Sequence, residues 1–425
     1  MRARASSAGG TSKYWRHFLE AQIAEHQMPR AISVSDTHVL RRKGRLKEQD
    51  ALIDFIISMH ETCSPEEAFA KVEKWVDEHR ASPHGSALSR LVPGMGSFLT
   101  PLPLTRALRE YDAFSGLSRR RYVLPNFAEV RHVLNIAQVH ALSDQRNGCA
   151  GCRLVTFDAD GTLYEDGKHF EADNKMISLL ISLMERGVDV AIVTAAGYDE
   201  AARFEDRLAA LLAAFKELQL PEETTKRFHM MGGECNYLLK VTTDYGLDFV
   251  PIEEWQTRDM LAWREESMQE LLDGAQACLE RGAARLGMQV QLIRKARAVG
   301  VVPCSPTLYE SLEELALSVR FELEGAGLEV PFCAFNGGND VFVDVGNKAI
   351  GLRALQSYLG VEEGGTLHVG DRFTVTGNDA QVRGFCSILW VANPDETAFY
   401  VKILVRDMNV VEKARKEDKE LTKKA

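Results

Sequence analysis

The sequence predicts an α/β protein: a Rossmann-like parallel-sheet core with an inserted α/β cap domain and a helical region ahead of it. Three observations carry this. From Leu154 onward, short apolar runs alternate with amphipathic helical stretches, the pattern of a parallel sheet covered by helices on both faces. The 425 residues exceed what one domain of about 150 residues holds. The apolar share of 45% and charged share of 26% are those of a globular chain with enough apolar surface for a full core. A formal charge of −10 argues against nucleic acid or an anionic membrane as partner, and no apolar run is long enough to span a bilayer.

The elements follow in order. Met1 to Lys13 bears Arg and Ser but no acid and no apolar stretch, so it reads as a disordered tail rather than a secretory signal, with a mitochondrial presequence as the lesser alternative. The expected compartment is the cytosol. Asp50 to His60 is an apolar helical candidate. Ser64-Pro65-Glu66-Glu67 is a capping box with Pro at the first helical position, and Phe69, Val72, Trp75 and Val76 share the face of the helix behind it. Leu91 to Thr105, with three prolines and two glycines, is a linker. The turn formers of 143–151 mark the boundary of the helical region, taken as 1–148. Cys149 and Cys152 lack the second close pair that a zinc site needs, and the eight cysteines read as reduced thiols.

Leu154 to Phe157 is a short buried strand, and Asp173 to Arg186 a helix ended by Gly187. Val188 to Val193, Leu367 to Gly370 and Ile388 to Val391 are further strands. Core segments are expected at 149–200 and 335–410, the cap at 201–334, and a charged tail at 411–425. The long interval between Thr194 and Lys348 far exceeds one β-α crossover and accommodates the cap, which would close over a substrate and exclude water.

Four places carry chemistry. Phe157-Asp158-Ala159-Asp160-Gly161-Thr162 follows a buried strand, so its two carboxylates reach the edge where ligands bind in parallel sheets. One acid can attack phosphorus and the other exchange a proton with the leaving oxygen; the plainer alternative is an Asx turn. Thr194 ends a strand, and its hydroxyl and the N–H groups after it can hold phosphate oxygens. Lys348 opens a helical pattern and can neutralise both nucleophile and phosphate. Asp371 follows the strand 367–370 as a hard-oxygen ligand suited to Mg²⁺, and Asp379 can complete that site or serve as a cap.

These motifs, in this order, resemble the haloacid dehalogenase-type phosphatase superfamily. The resemblance implies Asp158 as nucleophile and Asp160 as acid/base. It implies Thr194 and Lys348 as phosphate holders, and Asp371 as metal ligand with Asp158 and the Asp160 carbonyl. Four strings, Leu154 to Gly167, Met231 to Leu238, Phe335 to Lys348 and His368 to Asp379, are similar to inosine-monophosphate-specific 5′-nucleotidases. That narrower resemblance implies Mg²⁺-dependent, cytosolic homotetramers acting on IMP, with ATP as effector. It also implies Asp166 at the substrate and Asp340 and Asp344 near the metal. The expected reaction is hydrolysis of IMP to inosine and phosphate through an aspartyl-phosphate. The rivals are a phosphatase of the same superfamily for another nucleotide or a sugar phosphate, and a non-catalytic nucleotide-binding subunit.

Two basic clusters stand outside these motifs. Arg294, Lys295 and Arg297 read as a solvated face or as a contact to the nucleotide. Arg119, Arg120, Arg121, Arg131 and His132 read as a surface patch, with binding of an effector's phosphates as the other reading; His132 is the effector candidate.

Overall fold

The computed structural model describes residues 48–93, 96–143 and 151–424, so the readings of the N-terminal tail and of Cys149 lie outside the described residues. The helical region comprises α1 (Ala51–Met59), α2 (Pro65–Ala81), α3 (Ala87–Leu91), α4 (Leu104–Ser115) and α5 (Phe127–Ser143). Asp50 caps α1 by accepting the N–H groups of Leu52 and Ile53, both at 3.0 Å. The capping box of α2 forms in both directions: the Glu67 N–H donates to Ser64 Oγ at 3.3 Å, and the Ser64 N–H to Glu67 Oε2 at 3.2 Å.

The core runs β1 (Leu154–Phe157), α6 (Lys175–Glu185), β2 (Asp189–Val193), α7 (Ala201–Glu217), α8 (Glu222–Thr225), β3 (Phe228–Gly232), β4 (Tyr237–Val241) and β5 (Leu247–Phe249). Asn174 caps α6, so the helix starts two residues after the expected Asp173. The short helices α9 (Ile252–Trp255) and α10 (Arg258–Leu261) lead into the cap. The cap contains α11 (Glu265–Arg285), β6 (Val290–Arg294), β7 (Ala298–Pro303), α12 (Tyr309–Gly325), β8 (Phe332–Asn336) and β9 (Val341–Val345). The chain then returns to the core through α13 (Lys348–Leu359), β10 (Thr366–Gly370), β11 (Ser387–Trp390) and α14 (Pro394–Lys424).

The core sheet has the order β11-β10-β1-β2-β3-β4-β5, parallel from β11 to β3 and antiparallel at β4 and β5. After β1 the chain moves to one neighbour, β2; the other neighbour, β10, is filled only by the return from the cap. The order therefore reverses at β1, and the crevice at the carboxyl ends of β1 and β10 is where such sheets bind ligands.

The cap sheet, β6-β7-β9-β8, is wholly antiparallel. Val299, Val301, Val341, Val343 and Val345 point to one face and pack with Leu271, Leu279, Leu315 and Val319 of α11 and α12. Alternation puts Phe342 and Asp344 on the opposite face. There Phe342 pairs with Gly300 and Phe335, and Asp344 with Ala298 and Cys333.

Sheet membership moves the expected boundaries. Residues 201–250 contain α7 and three core strands, whereas 332–345, expected in the core, belong to the cap sheet. The cap sheet and its helices span Glu265 to Val345. β4 and β5 are an antiparallel extension whose partner is β3, a relation that strand length and composition do not encode.

The basic surface patch read from the sequence also divides. Arg119, Arg120 and Arg121 lie on an exposed segment, with Arg120 paired to Glu129. Arg131 and His132 are interior residues of α5. Arg131 donates to both oxygens of Glu396 at 2.7 and 2.9 Å and to the Trp390 carbonyl at 2.7 Å. His132 Nδ1 bonds the Tyr400 hydroxyl, and its ring stacks on Tyr111 at 5.7 Å. α5 is a buried helix docked on β11 and α14, and both residues face that interface. Among the described residues no helix is long and apolar enough to cross a membrane.

Candidate active site

The site starts from β1. All four of its residues are buried, and the ladder continues one step beyond it, where the Asp158 N–H donates to the Val369 carbonyl at 2.8 Å. This fixes Asp158 at the carboxyl edge between β1 and β10. The chain must turn at once. Gly161 does so at φ +77°, and a Cβ there would lie 2.9 Å from an Asp371 carboxylate oxygen. Glycine is thus required both by the backbone and by the approach of the loop after β10.

Lys348 is the first residue of α13, whose N-cap is Asn347. Its side chain is wholly buried, and Nζ donates to Asp158 Oδ1 and, at 2.7 Å, to Asp379 Oδ1. Asp379 also accepts from the Arg372 N–H at 2.9 Å and lies 3.0 Å from His368 Nε2, while His368 Nδ1 meets Thr156 Oγ1 at 2.8 Å. Burial opposes the Asp379 charge, but Lys348 and His368 outweigh it and hold the carboxyl well below the usual range. Burial also opposes the Lys348 charge, and Asp158, Asp379 and Glu234 overcome it, so the ammonium is retained far above neutral pH. Burial, joined by Asp379 and Asp371, pushes the Asp158 carboxyl well above its ordinary value against the pull of Lys348. Asp158 is therefore the member of the cluster that most needs a further positive charge nearby.

The second acid faces another way. Asp160 is half-buried; both of its oxygens lie 3.3 Å from Arg207 Nη2, and Oδ1 accepts the Gly167 N–H at 3.1 Å. Thr194 is buried at the end of β2, where its Oγ1 accepts the Ala196 N–H at 3.2 Å and orients the following loop. Asp166 is exposed and accepts from Asn339 Nδ2 at 3.1 Å, which joins the loop after β1 to the β8–β9 turn of the cap. Burial and then Asp166 push the nearby Asp340 carboxyl up to about 6. Asp344 is buried on β9, and burial followed by Glu234 pushes its carboxyl well above the ordinary value.

Among the described residues, the one group of acids placed to hold a metal is Asp158, Asp371 and Asp379, whose ligand atoms all lie within 4.8 Å of one another. Three hard oxygen donors of this kind fit Mg²⁺. The Asp160 carboxylate, Asp340 and Asp344 are outside this group. Arg294 and Arg297 reach acids of the cap's own helix, Asp273 at 2.8 Å and Glu265 at 2.7 Å, as a paired surface would.

Four residues of this neighbourhood escaped the sequence reading. Arg207 sits on the apolar face of α7 with Phe204, Leu208 and Leu211, and a charge at that spacing was the available signal. His368 is a buried polar residue inside β10. Arg372 reaches across to the cap, donating to the carbonyls of Asn336 at 3.0 Å and Gly337 at 2.6 Å. Glu234 is fully buried at φ +64°, accepts from Asn378 Nδ2 at 2.8 Å, and is pushed up to about 7 by burial, with Lys348 opposing. The Gly232-Gly233 pair ahead of it was the sole signal in the sequence, and it marks a turn rather than a functional acid.

A parallel sheet that presents acids after β1 and β10, places a helix-borne lysine between them and folds a cap over the crevice is the haloacid dehalogenase-type phosphatase architecture, and this chain is of that class. Within it, the profile of the IMP-specific 5'-nucleotidase family matches residues 37–401. The chain belongs to this family of phosphoric monoester hydrolases. It is 42% identical over 348 residues to IMP-specific 5'-nucleotidase 1 of Aspergillus fumigatus, covering 80% of this chain and 76% of that one. The fold is similar to the N-terminally truncated, IMP-bound IMP-nucleotidase of Plasmodium falciparum, with TM-score 0.79, 36% identity and coverage of 85% of this chain and 98% of that chain. It is also similar to the ATP-bound form, with TM-score 0.76, 32% identity and coverage of 95% and 94%.

Proposed function

We propose that the protein hydrolyses IMP to inosine and phosphate, with Asp158 as nucleophile and Asp160 as acid/base. The observation that carries the mechanism is the Asp158–Lys348–Asp379 arrangement, a buried carboxylate at the sheet edge held against a permanently charged ammonium. The IMP assignment rests on family membership. Lys348 fixes the attacking oxygen and offsets the repulsion between a carboxylate and a phosphate dianion. Asp379, gripped from three sides, keeps Lys348 charged and in place. Thr194 and the N–H groups after it bind equatorial oxygens.

Asp160, oriented by Arg207, gives its proton to the departing 5′-oxygen. It then takes one from the water that hydrolyses the Asp158 acyl phosphate, so the proton count closes over the cycle. Asp158, Asp371 and Asp379 would hold Mg²⁺, with Asp160 contributing its main-chain carbonyl as the superfamily resemblance implies. When bound, the ion would supply positive charge that offsets the repulsion of nucleophile and phosphate. Asp166, and more weakly Asp340, would meet the substrate through the cap contact; Asp344 lines the same face.

ATP as effector is supported by the ATP-bound relative; a homotetramer and a cytoplasmic location rest on the family resemblance. The test is phosphate release from a panel of purine and pyrimidine 5′-monophosphates, with and without Mg²⁺ and ATP. IMP should lead the panel only when Mg²⁺ is present. Equal turnover of all substrates would overturn the substrate assignment, and full turnover in chelator would overturn the metal.

A further inference from the structure

The crevice contains a cation that the phosphate chemistry does not use. Lys295 lies in the β6–β7 turn, pinned by its own N–H to the Ala298 carbonyl at 2.8 Å. Unlike its neighbours Arg294 and Arg297, it has no carboxylate within ion-pair distance among the described residues, although the charges of Asp344 and Asp340 act on it from the same face. Its ammonium instead approaches two aromatic faces, Phe342 at 5.3 Å and Tyr198 at 5.8 Å. Phe342 belongs to the face of the cap sheet turned away from the cap helices, and Gly300 opposite it leaves room for the ring, since a Cβ there would collide with it. Tyr198 comes from the core, on the loop after Thr194, with the Arg203 guanidinium 4.2 Å from its ring and Phe204 edge-on at 5.1 Å. Core and cap thus meet with two aromatic walls and one half-buried ammonium between them.

Such a niche suits a flat ring that carries a hydrogen-bond acceptor on its edge. Resting on the reading that the substrate is IMP, we infer that Lys295, between Phe342 and Tyr198, reads the 6-oxo group of the purine. The base lies against these rings, and the ammonium donates to O6, with N7 beside it. A 6-oxopurine presents two acceptors on that edge, the pattern that lysine and arginine recognise on guanine. Adenine presents an amino donor in place of O6, and a donor-only ammonium opposes it. Lys295 therefore separates 6-oxo from 6-amino purines and leaves hypoxanthine and guanine undistinguished at this edge.

The test is a two-by-two cycle of wild type and Lys295→Met against IMP and purine riboside 5′-monophosphate, which lacks the 6-substituent. A buried charged hydrogen bond corresponds to roughly 10- to 100-fold in kcat/KM. Lys295→Met should lose that factor on IMP and change less than about threefold on purine riboside monophosphate, while Lys295→Arg retains most of the wild-type preference. Lys295→Gln reads the same ratio should Met disturb the cap, and circular dichroism reports the fold of each variant. Equal losses on both substrates, or an IMP preference that survives in Lys295→Met and Lys295→Gln, would overturn the inference alone. Wild-type release of phosphate from p-nitrophenyl phosphate but not from IMP would overturn the substrate reading and this inference with it.

Discussion

Replacing Lys348 by Met removes one positive charge and leaves a side chain of similar length in a fully enclosed position. Two buried carboxylates, Asp158 and Asp379, lose their common partner, one of them 2.7 Å away. At an effective dielectric of about 20, a pair at that separation attracts by about 6 kcal/mol before desolvation is deducted. Breaking a buried pair costs a net ~3–5 kcal/mol. If the transition state depends on the ammonium to the same extent, kcat should fall by about 10² to 10⁴. Asp379 keeps its bonds to His368 and the Arg372 N–H, so the protein should remain folded while melting several degrees lower. Phosphate release at saturating Mg²⁺, alongside thermal unfolding followed by circular dichroism, reads both effects. A variant with kcat within threefold of wild type and only KM raised would refute the reasoning, since Lys348 would then bind ground and transition states alike.

Other perturbations separate the remaining roles. Asp371→Ala should raise the Mg²⁺ concentration for half-maximal activity by at least tenfold, with part of the rate restored at high Mg²⁺, because Mg²⁺ is held by few protein ligands; an unshifted titration would remove Asp371 from the ligand set. Acidification should weaken the α5–α14 interface. Burial pushes His132 down to about 4, so below its unfolded value near 6.5 the unfolded chain takes up a proton that the folded one refuses. Stability should fall by about 2 kcal/mol between pH 7 and 5, continue falling to pH 4 and level off below it. Urea unfolding of wild type and His132→Gln at pH 7 and 5 checks this: the variant should lose less stability, and identical losses would show that His132 does not titrate in this way.

How much of this was legible beforehand depended on whether a feature is local. The β1 acids, the Thr194 strand end, the α2 capping box and the strand expected at 367–370 are set by a few consecutive residues, and the structure has these elements in place, the strand starting one residue earlier. The cap boundary depended on which strands pair, and β8 and β9 carry apolar residues that read equally well as core strands. Arg131 and His132 look like a basic surface in sequence because the partners that bury them, Glu396 and Tyr400, lie more than 260 positions away. Arg207 and His368 escaped for the related reason that each acquires meaning through one acid, Asp160 or Asp379, brought to it by the fold. In sequence Lys295 is one of three neighbouring basic residues; the structure separates it from the two that are paired.

The account turns on Asp158 forming a covalent bond to phosphorus. Rapid acid quenching of enzyme turning over IMP labelled in its phosphate, followed by peptide mapping, tests this directly. The prediction is protein-bound label on the peptide that contains Asp158, released by hydroxylamine as an acyl phosphate should be, and absent from a folded Asp158→Asn variant that has lost turnover. Label that persists in Asp158→Asn, or near-wild-type turnover by that variant, would contradict it.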